Sequence, residues 1–429
     1  MTKAVTTDNR PPERRKRPLI AFFDYADVFE DFYPHYGVSQ KLFATEWNNS
    51  GNHAFLSLLQ REVGDVIWYS FSLHPELSEA EHRGTGCKIK MLSSSWLHRK
   101  LWSAFYLPRC AWRWRGLYRA YATLASYLAP LSAGLIRTLR QDRPDFFFVQ
   151  DYSSGKFDVL MMLSKLFRAP LVAYHSGSEA HKYIGAAIRR LTLPCAHRVL
   201  ASSGPELEML ADRYQVPHER LKVVLTPIEM TGHEPPDRST ACRETGIDPN
   251  RRYLLFVGRL DDKVKRVSSI IRAFGMIADK YPNADLLIAG DGTDRKELET
   301  AASLVSATRI KFLGWLSSTE TKACLYTAAE CLVLASSREG FPTVIGEAMA
   351  CGTPVVSSQV GAVPELVVDG VTGWLFPSGD DAALMRALDS ALAQTPAAAA
   401  SMRVQARLMA QRRVSPAAIS AILQDCFRL

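Results

Sequence analysis

Four stretches in the second half of the chain join charged residues to glycine. In the first, Val257-Gly258-Arg259-Leu260 runs into Asp261, Asp262, Lys263, Val264 and Lys265, so an apolar run ends in glycine and cations follow. In the second, Ile288-Ala289-Gly290-Asp291-Gly292 repeats the step, and a residue without a Cβ lets backbone approach a ligand. Phe312-Leu313-Gly314-Trp315 is the third. The fourth runs from Ser336 to Pro354 and carries Glu339-Gly340-Phe341-Pro342-Thr343-Val344, with Glu347 further along. An apolar run, a tight turn and a helix start leave backbone N–H groups free at the positive end of a helix dipole, which suits a diphosphate. Taken alone, each stretch is commonplace, because Gly-x-Gly is usually a turn and a surface Arg is usually solvated. Their joint order on one domain points to a phosphate-bearing ligand.

Elements that could position these residues alternate along the chain. Short apolar runs predict strands at Tyr253–Val257, Asp285–Ala289, Ile310–Leu313, Cys331–Ala335, Pro354–Ser357 and Trp374–Phe376, with helical periodicity between them. The first half repeats the pattern at Leu19–Phe23, Val66–Ser70, Asp145–Gln150, Leu171–Tyr174, Arg198–Ala201 and Lys222–Leu225. Such alternation predicts an α/β protein with doubly wound parallel sheets, whose ligands bind at the carboxyl edges of the strands. A chain of 429 residues suits two domains of about 200 residues each. The expected division is a disordered basic tail over 1–17, a first domain over 18–228, a second over 229–405, and a C-terminal helix over 406–429 packing back on the first domain. The linker is placed between Thr226 and Asn250, and Gln394–Ser401 reads as a low-complexity joint.

The stretch from Tyr253 to Phe376 resembles the donor domain of glycosyltransferase family 4, of the GT-B fold. The likeness rests on Glu339 and Glu347, on Gly340-Phe341-Pro342, on Glu347 through Val356, and on Gly361-Ala362-Val363-Pro364-Glu365-Leu366. It implies two Rossmann-like domains facing across a cleft. It implies that Arg259 and Lys265 neutralise a diphosphate, that Glu347 holds the ribose hydroxyls, and that Glu339 with Gly340 to Thr343 contacts sugar and phosphate. Gly258, Gly290, Gly292, Phe312, Leu313 and Val344 complete the donor-binding set. One departure is Arg266, which follows Lys265 where the family has glycine. In the first half, Tyr174-His175-Ser176-Gly177 resembles the strand-end histidine that faces the donor sugar. Gly37, in Tyr36-Gly37-Val38-Ser39, resembles the glycine loop near the acceptor, without the paired glycines. Thr226-Pro227-Ile228-Glu229 stands at the hinge turn. The resemblance implies a retaining enzyme without a protein nucleophile. No Asp-x-Asp motif stands in the family's context, so no metal cofactor is expected. The donor substrate is expected to be a nucleotide sugar, a UDP-sugar by preference and a GDP-sugar as the alternative.

The net charge of +8 calls for an anionic partner. From His82 to Gln141 there is no Asp or Glu, yet eleven Arg and Lys residues fall there. Within that window Trp112, Arg113, Trp114, Arg115 and Arg119 interleave aromatics with cations, the composition of a membrane-surface contact. The plainer reading is a helix pair, broken at Pro108, whose aromatics face the core. The first reading predicts peripheral attachment to the inner face of the cytoplasmic membrane. The acceptor would then be lipid-linked or a saccharide, in surface-polysaccharide or glycolipid synthesis. No run of eighteen apolar residues occurs, and Met1 to Arg17 lacks the apolar core of a secretory signal. Eight cysteines without a Cys-x-x-Cys pair read as reduced thiols. A GT-B epimerase or phosphorylase would share the cleft. A nucleic-acid-binding protein would share the basic charge, but no RNA-binding signature is present.

Overall fold

The structure, a computed structural model, describes residues 17–47, 50–105, 115–175, 185–229, 235–306 and 308–428, with the backbone alone for 35, 36, 50–52, 104, 105 and 115–119. The expected basic tail thus lies outside the described residues except for Arg17, whose guanidinium donates to the Gln60 carbonyl at 2.7 Å. Two sheets organise the rest.

The first sheet holds β1 (Leu19–Phe23), β2 (Asp65–Ser72), β3 (Glu79–Glu81), β4 (Lys88–Ser93), β5 (Phe146–Gln150), β6 (Leu171–His175), β7 (Arg198–Ala201) and β8 (Leu221–Val223) in the order β3-β4-β2-β1-β5-β6-β7-β8. Its central strands read Leu-Ile-Ala-Phe-Phe and Phe-Phe-Phe-Val-Gln and are buried throughout, as strands covered by helices on both faces must be. The second sheet holds β9 (Arg252–Val257), β10 (Ala284–Ala289), β11 (Ile310–Gly314), β12 (Cys331–Leu334), β13 (Val355–Ser358) and β14 (Gly373–Phe376) in the order β11-β10-β9-β12-β13-β14, all parallel. This is the order of a dinucleotide-binding domain, with its switch point between β9 and β12. The corresponding switch in the first sheet falls between β1 and β5.

Strands β3 and β4 are absent from the sequence expectation. They form the rim of the first sheet, β3 antiparallel to β4. On β4, Ile89 and Met91 are buried while Lys88 is exposed and Lys90 half-buried, so only alternate residues carry an apolar signal. These lysines also correct part of the charge argument. Lys90 pairs with Asp142 at 2.7 Å, Lys88 with Glu79 at 3.8 Å and Arg83 with Glu46 at 2.7 Å, so carboxylates outside the acid-free window meet cations inside it.

The chain crosses between the two sheets twice. Ile228 donates its N–H to the carbonyl of Val414 at 2.8 Å, so the outgoing and returning crossings run side by side. The helix Pro396–Arg413 does not respect the expected boundary at 405. Its Ala406 and Ala410, with Val414, belong to the core of the second sheet, and the alanine-rich stretch read as a joint is its first turn. Alanine is the best helix former, which a low-complexity reading overlooks. The last helix, Pro416–Cys426, contributes Ile419, Leu423 and Cys426 to the core of the first sheet, the same core that holds Ile20 and Phe22 of β1. The interval expected to be linker also contains a helix, Arg238–Thr245, capped by the Asp237 carboxylate.

Candidate active site

The donor-side residues gather at the carboxyl edge of the second sheet. Gly258 directly follows β9, Gly290 directly follows β10 and Gly314 ends β11. Gly258 donates to Ala289 at 3.0 Å and Gly290 donates to Gly314 at 2.7 Å. A Cβ on Gly290 would stand 1.8 Å from the Gly258 carbonyl oxygen, and one on Gly292 would stand 2.4 Å from that of Leu260. These two glycines are therefore required by backbone meeting backbone, which is a different reason from the ligand approach expected of them. Phe312 and Leu313 are half-buried and pack against the core of this sheet.

Arg259 follows Gly258 with its side chain 59% exposed, its nearest carboxylate being Asp261 at 3.7 Å. Lys265 closes the one-turn helix Asp262–Lys265. The next residue, Arg266, takes a left-handed φ of 51°, the conformation that glycine adopts most easily and that accounts for the family's glycine there. Its guanidinium reaches Asp381 at 3.1 Å, while the Asp262 carboxylate accepts from the N–H of Ser268 at 2.8 Å to start the next helix.

Beyond β12, Glu339 sits at the switch point with its side chain 11% exposed. One oxygen, Oε1, accepts from the Lys265 ammonium at 2.6 Å and from the Ser336 hydroxyl at 2.6 Å. The turn at Gly340 is held by Ala362, which donates to the Gly340 carbonyl at 2.9 Å. A Cβ on the neighbouring Gly361 would lie 2.1 Å from the Glu339 carbonyl oxygen. Phe341 packs on the core, and Pro342 precedes a helix, Thr343–Ala350, that opens without a side-chain cap. The first N–H groups of such a helix have no intrahelical acceptor, so those of Thr343 and Val344 are oriented for an anion. On the same helix, Glu347 accepts from the Tyr326 hydroxyl at 2.8 Å and lies 3.4 Å from the Lys322 ammonium. Burial and the nearby Glu347 charge push the Tyr326 phenol well above its ordinary pKa, so it stays a donor. Lys322 and Tyr326 were not anticipated. Their four-residue spacing on helix Thr319–Ala328 is a visible signal, but nothing in sequence told which carboxylate they face.

His175 belongs to the other sheet, at the end of β6. Its Nδ1 lies 2.7 Å from Glu206 and its Nε2 lies 3.9 Å from Asp151. The Tyr152 hydroxyl donates to the same Glu206 oxygen. Burial lowers the His175 pKa, but the Glu206 hydrogen bond and the charges of Asp151 and Glu206 outweigh it, and the net direction is upward. Asp151 adopts φ 74°, tolerated because its carboxylate accepts from the N–H of Ser153 at 2.7 Å. At the switch point of this sheet Lys156, fully buried, donates to the carbonyls of Asp24 at 2.6 Å and Ala26 at 2.5 Å. Burial raises the Asp24 pKa against the pull of Lys156, and it raises that of Asp27 to about 6. Asp24, Asp151, Lys156 and Glu206 carried no motif and were missed. Gly37 takes a left-handed φ of 69° at the end of a short 3-10 helix, with open space around it. Trp112, Arg113 and Trp114 lie outside the described residues, as do the side chains of Arg115 and Arg119. Among the described residues no group of three His, Cys, Asp or Glu is arranged to hold a metal ion.

One contact spans the two domains beside these groups. Glu365 accepts the N–H of Gly204 at 2.7 Å and pairs with Arg413 at 2.6 Å. Gly204 opens the helix Gly204–Tyr214 that carries Glu206.

Comparison with known proteins fits this geometry. Residues 237–409 match the family described as glycosyl transferases group 1, and residues 102–231 match glycosyltransferase family 4. The D-inositol 3-phosphate glycosyltransferase of Mycobacterium sp. (strain KMS) is 33% identical over 209 residues, covering 47% of this chain and 46% of that protein. The match thus spans about half the length of this curated relative. The sucrose-phosphate synthase of Thermosynechococcus elongatus superposes with a TM-score of 0.68 at 21% identity, over 96% of this chain and 98% of the other. Anabaena HepE in complex with UDP superposes with a TM-score of 0.67 at 18% identity, over 95% and 98%. The matched regions contain the whole second sheet and strands β5 to β8 of the first, and the chain belongs to glycosyltransferase family 4 and has the GT-B fold.

Proposed function

We propose that the protein is a retaining glycosyltransferase that moves a sugar from a nucleoside-diphosphate donor, a UDP-sugar by preference, to a lipid-linked or saccharide acceptor. The observation that carries this reading is the meeting of Lys265, Glu339 and an uncapped helix start at one switch point, with Arg259 exposed nearby in sequence and paired only loosely with Asp261. In the transfer, the acceptor oxygen bonds to the anomeric carbon on the face from which the diphosphate leaves. The bond from that carbon to the phosphate oxygen breaks, and this oxygen takes the acceptor proton. Negative charge grows on the leaving diphosphate. Fixed cations and N–H dipoles aimed there stabilise the transition state by several kcal/mol, to order of magnitude. In this reading Arg259, Lys265 and the N–H groups of Thr343 and Val344 supply that stabilisation without a metal. Glu347, held by Tyr326 and Lys322, is the partner for the ribose hydroxyls.

HepE holds UDP in a similar fold, which supports the uridine preference. The acceptor is assigned to a cavity of about 700 Å³ at the carboxyl end of β4, lined by Ser94, Ser95, Trp96, Arg99 and Ser132. Trp96 is 65% exposed and the adjacent Leu97 is exposed too, which supports a lipid-linked acceptor presented at the cytoplasmic face of the membrane. Trp102 instead packs toward the core of the first sheet, so the aromatic segment is divided between the two roles. No helix among the described residues is long and apolar enough to cross a membrane, so attachment would be peripheral.

A thermal-shift panel of UDP- and GDP-sugars, followed by NMR of the product's anomeric proton, tests the proposal. Stabilisation by a UDP-sugar and a retained configuration are expected. Failure of every nucleotide sugar to bind, or inversion, would overturn it.

A further inference from the structure

Behind the donor site, at the opposite end of helix Thr343–Ala350, lies a second cavity of about 510 Å³. Eight residues at about 1.5 Å each separate it from the uncapped helix start, so it is not part of the cleft. Arg238, Arg403 and Arg407 line it together with Thr327, Glu330 and Gln411.

The three guanidinium groups share the cavity wall with two carboxylates, Asp237 and Glu330, but pair with neither. Arg238 donates to the carbonyls of Pro249 and Arg251, Arg403 to that of Ala329, and Arg407, at 3.4 Å, to that of Cys351. Among the described residues none of the three forms an ion pair with a carboxylate. The acids nearby are engaged elsewhere. Glu330 pairs with Arg252 at 3.3 Å, and Asp237 accepts the N–H groups of Ser239 and Thr240 at 2.9 and 3.1 Å. Arg403 has its pKa pushed down by burial, with Glu330 opposing and both Arg238 and Arg407 adding repulsion. The Thr327 hydroxyl, buried on the cavity wall, has no hydrogen-bond partner.

Like charges held together with a buried donor left unmatched describe half of an interaction. The missing half must bring negative charge and several acceptor oxygens. A phosphate group does both, and planar guanidinium forks match its oxygens in pairs. A carboxylate offers two oxygens, fewer than three guanidinium groups and a hydroxyl can engage. The volume is that of a small-molecule site and leaves room for more than the phosphate itself.

We propose that this cavity binds a small phosphorylated anion, with Arg238, Arg403 and Arg407 taking its phosphate oxygens and the Thr327 hydroxyl donating to it. The assignment does not depend on the reaction in the cleft.

Calorimetric titration with inorganic pyrophosphate tests it, using the full chain with Arg259→Ala and Lys265→Ala to remove the cleft's own cations. One pyrophosphate per chain is expected to bind. Binding should weaken about tenfold or more when Arg407→Gln is added, since a charged hydrogen bond is lost. Arg407 is exposed and its carbonyl contact is long, so this change keeps the fold, which unfolding of the unliganded protein checks. Arg403→Gln should weaken binding further. Absence of binding in the cleft-deficient protein overturns the proposal, as does unchanged affinity after Arg407→Gln.

Discussion

Glu365 and Gly204 meet across the two domains through one hydrogen bond of 2.7 Å, carboxylate to backbone N–H. The Gly204 N–H opens the helix on which Glu206 holds His175, and the other Glu365 oxygen is tied to Arg413 near the returning crossing. One side chain therefore links the donor domain, the hinge and the acceptor-side histidine. Glu365→Ala should lower kcat/KM about tenfold, because a charged hydrogen bond contributes about 1.5–3 kcal/mol and about 1.4 kcal/mol is a factor of ten. Steady-state kinetics with small-angle scattering provide the check. Unchanged kinetics and an unchanged radius would show that the contact does not matter for closure.

Arg259 and Lys265 should separate in one respect. Either change to alanine is expected to lower turnover about a hundredfold or more, as loss of one preorganised charge does. Arg259 is exposed and loosely paired, so Arg259→Ala should leave Tm unchanged. Lys265→Ala leaves Glu339 half-satisfied in a largely buried place and should lower Tm as well. Glu339→Ala should likewise reduce turnover strongly. Near-normal transfer by Arg259→Ala would remove it from the site.

Glu347→Ala is expected to weaken nucleotide binding rather than the chemical step. Tyr326→Phe should do the same less severely, since Lys322 still steadies the carboxylate at 3.4 Å. Calorimetry with UDP measures both. Equal affinity for Glu347→Ala and the native protein would show that the ribose is held elsewhere.

The His175–Glu206 pair makes a pH prediction. A histidine whose pKa is raised on folding contributes stability that is fully present below its ordinary value of about 6.5 and is lost as pH rises through the raised value. Glu206→Gln removes the charge that raises it. The Tm gap between native and Glu206→Gln protein should be wider near about pH 5.5 than near about pH 8.5. The His175 imidazole signals should titrate at lower pH in the variant. A gap independent of pH would mean that Glu206 acts by packing alone.

Vesicle sedimentation addresses the basic aromatic segment. The native protein should pellet with anionic vesicles and do so less at high salt, with each near-surface cation contributing about 1 kcal/mol. A variant with Arg113, Arg115 and Arg119 changed to Ser should stay in the supernatant. If native and variant proteins sediment alike, a soluble acceptor becomes the better assignment.

The sequence by itself determined the two parallel sheets, because each central strand is an apolar run of four to six residues bounded by turns. It also marked the donor-side candidates Gly258, Arg259, Lys265, Glu339 and Glu347, because each lies in a short strand-turn-helix stretch, the first three after β9 and the last two after β12. Tertiary structure alone decided the rest. Strand β4 was hidden because a sheet rim shows its apolar residues only at alternate positions. Lys322 and Tyr326 acquired their role by facing Glu347 from another helix. Asp151, Lys156, Glu206 and Glu365 acquired theirs at strand and helix ends brought together by the fold. Gly290 and Gly292 were legible as special positions, but their reason was not, since the carbonyls of Gly258 and Leu260 that forbid a side chain there arrive from a neighbouring strand and its loop. Local patterns report which element a residue belongs to. Which charges meet across elements depends on distances that only packing sets.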